Sequence, residues 1–314
     1  MNVFLFPGQG SQEVGMAADL FKSDSFFQGL VQRASDHVHA DLQRICLRGP
    51  EKLLVQTRHL QPLLVCVSLG YFRQLAVRGI HPQGVLGHSL GEITALAAAG
   101  VVTFEEAVDM AARRGEYMDE VAVKVDGGMV AVTTRQRDPL LQELTAASWR
   151  ERLTVANDNA PEQMVISGQR VVLEEAVRFI QGARLGHCRV LPVAGPWHSP
   201  FMREAQRQFA IWLQATHFNA PQIGLLLNAS ASWETDPAHI RDLAIRNLSE
   251  PVQWRASMDC LKAKQPVQLF EVGPGRILSG LARINGFDEA TCIVNVNNLR
   301  GVELAAASVE EKTA

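Results

Sequence analysis

Residues 87–91 read Gly-His-Ser-Leu-Gly and match the pattern G-x-S-x-G. A short apolar run, 84–87, precedes them and an alanine-rich stretch, 91–99, follows, so the pattern predicts a sharp strand-to-helix turn. Such a turn lifts the Ser89 hydroxyl into the open, and the glycines two residues away leave room for the tight backbone. The next N–H, from Leu90, and the helix N-terminus would both face a developing oxyanion. The motif predicts serine acyl chemistry without distinguishing a hydrolase from a transferase.

A serine nucleophile needs a base that takes its proton. Among nine histidines, His198 is the candidate because it lies in a loop, 194–200, between a predicted strand and a predicted helix, where catalytic bases are commonly presented. The alternative is a loop histidine that binds only water. His88 lies within the elbow, and we expect its side chain to point away from the Ser89 hydroxyl. Since no acidic residue nearby in sequence is an obvious third triad member, a backbone carbonyl could orient the imidazole.

The elements around these residues predict an α/β protein with two parts. Between residues 129 and 193, the expected order is strand, helix, strand, strand, helix, strand, which is the ferredoxin-like arrangement. We therefore expect an inserted ferredoxin-like small domain over 124–192. Residues 1–123 and 193–314 would then form one large catalytic domain of the α/β-hydrolase-like class, which suits a chain of 314 residues.

Composition excludes several kinds of protein. The formal net charge is -3, without the basic surplus of a nucleic-acid binder. No stretch reaches the roughly 18 apolar residues of a membrane span, and the N-terminus lacks the basic region of a signal peptide. The five cysteines are an odd number without a C-x-x-C pair, which indicates reduced core cysteines in a reducing compartment. We expect a cytoplasmic monomer that needs no metal or other cofactor.

Four motifs in order along the chain resemble one known family. They are the segments 6–12 (FPGQGSQ), 87–92 (GHSLGE), 113–118 (RRGEYM) and 271–275 (EVGPG). Together they are similar to the malonyl-CoA:acyl carrier protein transacylases, which include the fatty-acid synthesis enzyme and discrete acyltransferases serving polyketide synthases in trans. The resemblance runs from residue 1 to about 298. It implies transfer of a malonyl group from malonyl-CoA, through a serine ester, to the phosphopantetheine thiol of an acyl carrier protein.

The resemblance also implies catalytic roles for matching residues. Ser89 matches the nucleophile and His198 matches the base. Gln9 and Leu90 match the two residues whose backbone N–H groups form the oxyanion hole. Gln253 matches a residue whose backbone carbonyl orients the histidine.

Further matches concern the acyl group and its surroundings. Arg114 matches an arginine that pairs with the free carboxylate of the malonyl group, and a guanidinium suits that task because its fork binds a carboxylate bidentately and keeps its charge. The alternative is a surface arginine, which is our interpretation of neighbouring Arg113. Asn159 matches an asparagine near the substrate, and Asn157 is the rival candidate for that match. Met118 is also expected to contact the substrate. The segment 160–163 departs from the family pattern there.

The residue before the candidate base is Trp197, where polyketide relatives of the malonyl type often have phenylalanine. A bulky ring near C2 of the acyl group leaves little room for a methyl branch. Leu90 agrees with this choice, because methylmalonyl-type relatives often carry glutamine at that position. The sequence therefore predicts malonyl over methylmalonyl.

Two other functions compete with this interpretation. Acyl hydrolases on the same fold clear stalled chains from carrier proteins with the same serine and histidine, but they commonly lack the arginine that Arg114 matches. A non-catalytic subunit that docks carrier proteins would be expected to lose the nucleophile or the base, and Ser89 and His198 are both present.

Overall fold

The computed structural model describes residues 1–145, 149, 152–266 and 268–313. Its strands are β1 (Asn2–Phe6), β2 (Gly84–Gly87), β3 (Gly127–Thr133), β4 (Leu153–Ala160), β5 (Gln163–Gln169), β6 (His187–Val190), β7 (Gly224–Leu227), β8 (Ser232–Glu234), β9 (Gln268–Val272) and β10 (Cys292–Val296). Its α-helices are α1 (Ala18–Ser23), α2 (Ser25–Val38), α3 (Leu42–Arg48), α4 (Glu51–Leu54), α5 (Thr57–Val77), α6 (Gly91–Ala98), α7 (Phe104–Lys124), α8 (Arg137–Leu144), α9 (Arg170–Gly182), α10 (Arg203–Leu213), α11 (Pro237–Arg246), α12 (Trp254–Lys262), α13 (Ile277–Ile284) and α14 (Leu299–Thr313).

The larger sheet has six strands in the order β10-β9-β1-β2-β7-β8. Neighbouring strands are parallel except β8, which forms an antiparallel hairpin with β7. Along β1, Phe4 and Phe6 pack into the core on one face of the sheet, while Val3 and Leu5 pack into the core on the other. Both faces are covered, which is why the central strands are short, continuous apolar runs.

The smaller sheet has four antiparallel strands in the order β4-β5-β3-β6. Two helices, α8 and α9, connect its strands, and their apolar side chains build a separate core with Val130, Val132 and Ile166. This order is that of a ferredoxin-like unit, so the predicted class of a large α/β part carrying a small ferredoxin-like one is confirmed. All four strands lie within the segment 124–192, and we propose that this segment is the inserted domain.

Strand β4 runs to Ala160 across two register shifts, so Asn157 and Asn159 both lie on it. One detail differs from the sequence predictions. Cysteine burial is uneven. Cys46 and Cys66 are buried as expected, but the remaining three are partly exposed, and all five are free thiols.

Helix α5 is the one helix in the described ranges that has the length and hydropathy of a membrane span. However, 72% of its most apolar window is buried inside the protein. It packs along α7 and beneath the larger sheet, which is the arrangement of a core helix.

Candidate active site

The Ser89 elbow connects β2 to α6. Ser89 has φ +52°, in the left-handed region that non-glycine residues adopt rarely. The flanking glycines are required by packing. A Cβ on Gly87 would lie 1.9 Å from the carbonyl carbon of Gly91, and one on Gly91 would lie 2.0 Å from the carbonyl oxygen of Phe6. The local sequence therefore produces the strained turn that presents the hydroxyl.

His198 reaches the nucleophile from the loop after the smaller sheet. Its Nε2 lies 2.6 Å from Ser89 Oγ, and its Nδ1 lies 3.1 Å from the carbonyl oxygen of Glu250. A carbonyl only accepts, so Nδ1 carries the proton and Nε2 has the free lone pair that can take the serine proton. His198 is buried and also has a positive φ, +54°. The pair has the geometry of an activated serine.

The expectation for Gln253 is wrong in this structure. The orienting carbonyl belongs to Glu250, three residues earlier. The Gln253 carbonyl instead accepts from Ser257 Oγ at 2.9 Å, because Gln253 is the N-cap residue directly before α12 and its carbonyl accepts in the first turn. Its side-chain amide donates to the carbonyl of Ala229.

Burial lowers the pKa of His198 to about 3, and the positive charge of Arg114 acts in the same direction. The imidazole is therefore neutral, as a base must be, over the whole ordinary pH range. The same shift lowers stability as pH falls below about 6.5, because the unfolded chain binds a proton there and the folded protein does not.

We predict a flat pH profile for formation of the acyl-enzyme. Between pH 7.5 and 5.5, the neutral fraction of a base with the ordinary histidine pKa would fall about tenfold. The neutral fraction of His198 should fall less than about twofold, because its pKa lies far below this range. Single-turnover quench-flow with intact-mass detection measures this rate, with circular dichroism at each pH as the control for folding. A titration midpoint near 6.5 would contradict the prediction.

The two expected oxyanion donors follow the C-terminal ends of two neighbouring central strands of the larger sheet. In the parallel pair of β1 and β2, Phe6 is opposite Gly87. Gln9 and Leu90 each come three residues later, so the ends of the two strands bring them to the same side. Neither backbone N–H donates to another group in the described part of the chain. The Gln9 side chain accepts a bond of 3.0 Å from Gln61 Nε2, which holds the loop.

Arg114 lies behind the nucleophile, on α7, and is 2% exposed. Its Nη2 donates to Asn247 Oδ1 at 2.9 Å and to Ser89 Oγ at 3.3 Å. Its Nη1 is buried and has no hydrogen-bond partner among the described residues. Burial lowers the pKa of Arg114 to about 10, which Glu92 opposes, so the guanidinium stays charged at neutral pH. A buried cation with a free N–H beside a nucleophile is a site for a carboxylate.

The nucleophile and base open into a cavity of about 350 Å³ between the two sheets. Met118 and Trp197 line it as expected. Trp197 is buried, and a Cβ on Gly195 would lie 2.5 Å from its ring, so the ring packs directly against that glycine. The cavity is therefore closed on one side by a large, fixed aromatic group.

Both candidate asparagines line the cavity. Asn157 and Asn159 are two residues apart on β4, so their place in the strand does not distinguish them. The Asn159 side chain is distinguished by its partner, because its Oδ1 lies 2.8 Å from His88 Nε2. Through this contact Asn159 holds the His88 ring, and we still expect that ring to point away from the Ser89 hydroxyl.

Several polar residues near the site had not been singled out from the sequence. Gln61 is fully buried and contacts both Gln9 and Met118. Asn247 binds Arg114, and Glu92 binds Asn247. Glu92 had a sequence signal, since it ends the motif 87–92. The amides had none, because asparagine and glutamine are ordinary in the segments where they stand.

Comparison with known proteins agrees with this site. The acyl transferase domain family matches residues 3–290. The malonyl CoA-acyl carrier protein transacylase of Escherichia coli (strain K12) is 34% identical over 281 residues, which are 89% of this chain and 91% of that protein. A polyketide biosynthesis malonyl CoA-acyl carrier protein transacylase of Bacillus velezensis is 35% identical over 298 residues, covering 93% and 99%.

Solved structures give the same result. The crystal structure of an acyl carrier protein S-malonyltransferase from Vibrio cholerae has a TM-score of 0.89 at 34% identity and covers 97% of this chain and 99% of its own. The family match spans most of the chain, and the similarity extends through both sheets. The chain belongs to the acyl transferase domain family, among the malonyl-CoA:acyl carrier protein transacylases.

Proposed function

We propose that the protein transfers a malonyl group from malonyl-CoA, through an ester on Ser89, to the phosphopantetheine thiol of an acyl carrier protein. The observation that carries this proposal is that Nη1 of Arg114 has no hydrogen-bond partner among the residues described, while Nη2 of the same guanidinium lies 3.3 Å from Ser89 Oγ. A cation in that position binds the free carboxylate of a dicarboxylic acyl group. It forms no ion pair with an acyl group that lacks a carboxylate.

The first half-reaction forms the ester. His198 Nε2 takes the Ser89 hydroxyl proton while Oγ attacks the thioester carbonyl carbon. The oxyanion that develops is placed to accept from the backbone N–H groups of Gln9 and Leu90. When the tetrahedral intermediate collapses, the C–S bond breaks and His198 returns the proton to the sulfur of coenzyme A.

The second half-reaction reverses these steps with a different thiol. His198 takes the proton of the carrier thiol, whose sulfur attacks the ester carbonyl, and the Ser89 Oγ leaves with that proton. No metal or redox group is required for either half. Water competes for the same ester, and the closed, aromatic side of the cavity at Trp197 limits its approach.

The substrate side of the cavity supports two further assignments. Met118 and Asn159 lie where the acyl-thioester would pass, and Asn159 also holds His88. The relatives are named for both fatty-acid and polyketide synthesis, and the proposed transfer step is the same in each. The cytoplasmic location and monomeric state remain predictions from the sequence.

The proposal is tested by intact-mass spectrometry with malonyl-CoA, with and without a phosphopantetheinylated carrier protein. We expect a malonyl adduct on the enzyme alone, and its transfer to the carrier when the carrier is added. Release of free malonate faster than transfer would identify a hydrolase instead.

We predict that the Trp197 ring excludes branched acyl groups. The wild-type protein should load malonyl faster than methylmalonyl, and Trp197→Ala should raise the methylmalonyl-to-malonyl ratio by about tenfold or more, the usual size of a methyl-group selectivity. Competition of the two acyl-CoAs, resolved by adduct mass, measures the ratio. Faster loading of methylmalonyl by the wild type would contradict this role. Trp212→Ala is a control, because that tryptophan packs against Phe209 and does not line the cavity.

A further inference from the structure

Four buried polar residues form a continuous hydrogen-bonded chain behind the Ser89 elbow. They are Arg114, Asn247, Glu92 and Asn228, each 5% exposed or less. Asn247 Oδ1 accepts from Arg114 Nη2 at 2.9 Å, and Asn247 Nδ2 donates to Glu92 Oε2 at 2.6 Å. The other Glu92 oxygen accepts from the backbone N–H of Asn228, whose side-chain amide donates to the carbonyl of Gly87. The chain thus begins beside the nucleophile and returns to the strand end that presents it.

The direction of every bond in this chain is determined. A guanidinium only donates, so Asn247 presents its oxygen to Arg114 and its N–H to Glu92. Glu92 therefore faces two donors, one at each carboxylate oxygen. A carboxamide would turn its N–H donors toward one of them and leave two buried donors facing each other. Position 92 therefore requires a carboxyl group whose two oxygens both accept.

Arg114 and Glu92 also act on each other's ionisation. Burial lowers the pKa of Arg114 to about 10 and raises the pKa of Glu92 to about 8, and each group opposes the shift of the other. Each therefore helps to keep the other ionised. Because Glu92 acts through Asn247, its charge lies near the guanidinium without occupying Nη1, which has no partner in the described part of the chain.

We propose that Glu92 is a positioning residue for the malonyl carboxylate. Through Asn247 it holds the Arg114 guanidinium so that Nη1, which has no partner among the described residues, is left for the carboxylate, and through Asn228 it connects that site to the end of β2. The inference rests on the proposed function, because it describes how the carboxylate site of that function is held in place. Glu92 itself touches neither the acyl group nor the nucleophile.

The test compares malonyl-CoA with acetyl-CoA, which lacks the carboxylate. In Glu92→Gln, the misplaced guanidinium should lower kcat/KM for malonyl loading about tenfold more than for acetyl loading, with most of the malonyl loss in KM. A purely structural role would lower both acyl donors alike. An unchanged malonyl-to-acetyl ratio in folded Glu92→Gln would overturn the inference.

A second variant exchanges the two groups. In Glu92→Gln/Asn247→Asp, the new carboxylate accepts from Arg114 and from the amide introduced at position 92, and the oxygen of that amide accepts from Asn228, so all bond directions are satisfied again. We expect the malonyl-to-acetyl ratio to return to within about threefold of the wild type, on the order of one hydrogen bond's net contribution. If Glu92→Gln does not fold, this variant decides alone, and its failure to fold or to recover the ratio would overturn the inference.

Glu271→Gln is the matched control. Glu271 is also buried and accepts from two backbone N–H groups, at Leu278 and Ser279, but it binds no residue of the Arg114 chain. Its replacement should leave the malonyl-to-acetyl ratio unchanged even where the melting temperature falls. Failure of the wild type to load malonyl would contradict the proposed function. Normal malonyl loading by the wild type with a selectivity that does not depend on Glu92 would contradict only this inference.

Discussion

Replacing Ser89 with alanine is expected to abolish the malonyl adduct and to lower transfer to the carrier protein by about 10⁴-fold or more, as for other serine acyl enzymes. The reason is the geometry of one atom. Ser89 Oγ lies 2.6 Å from the base and 3.3 Å from Arg114. Alanine keeps a Cβ at the same positive φ, so the elbow gains no new strain. Intact-mass measurement after incubation with malonyl-CoA gives the result directly.

Ser11→Ala is the control for this variant. Ser11 lines the same cavity, but its hydroxyl donates to the carbonyl of Gly8 at 2.8 Å and has no base beside it. Its replacement should leave the adduct in place. Ser89→Cys, which keeps a nucleophile, should still become acylated. Persistence of a full malonyl adduct in Ser89→Ala would show that another group carries the acyl chain.

Features that are determined by residues close together along the chain could be predicted from the sequence. The elbow needs a strand, two glycines and a helix within about fifteen residues, and all of them are contiguous in the chain. The ferredoxin-like strand order followed from alternating elements between residues 129 and 193. Local turn chemistry and periodicity determine such features, so a single sequence displays them.

Polar contacts between residues far apart along the chain could not be predicted in the same way. The carbonyl that orients His198 belongs to Glu250, and a backbone carbonyl leaves no mark in the residue type, so the assignment to Gln253 failed. Glu92 and Asn247 are 155 positions apart. Their contact depends on how α6 and the segment after α11 pack against each other, and no local pattern records that packing.

The largest change in selectivity is expected from Arg114→Ala. Removing one partner of a buried charge pair costs about 2–5 kcal/mol, so kcat/KM for malonyl loading should fall roughly 30- to 4,000-fold by the tenfold-per-1.4-kcal/mol relation. Acetyl loading should fall far less, because an acetyl group makes no ion pair. The preference of the enzyme should therefore shift toward acetyl-CoA. Loading rates with each acyl-CoA, followed by intact mass, measure the shift.

Arg113→Ala is the neighbouring control. Its guanidinium pairs with Glu116 on the outer side of α7 and is 37% exposed, so its removal should leave both loading rates nearly unchanged. Arg114→Lys should fall between the wild type and Arg114→Ala. Lysine keeps the charge but has no planar fork, and it cannot hold Asn247 and a cargo carboxylate in the same geometry. Equal losses of malonyl and acetyl loading in Arg114→Ala would mean that the arginine supports the structure of the elbow and does not bind the carboxylate of the acyl group. The selectivity ratio therefore decides between the two roles, whereas the loss of malonyl activity alone does not.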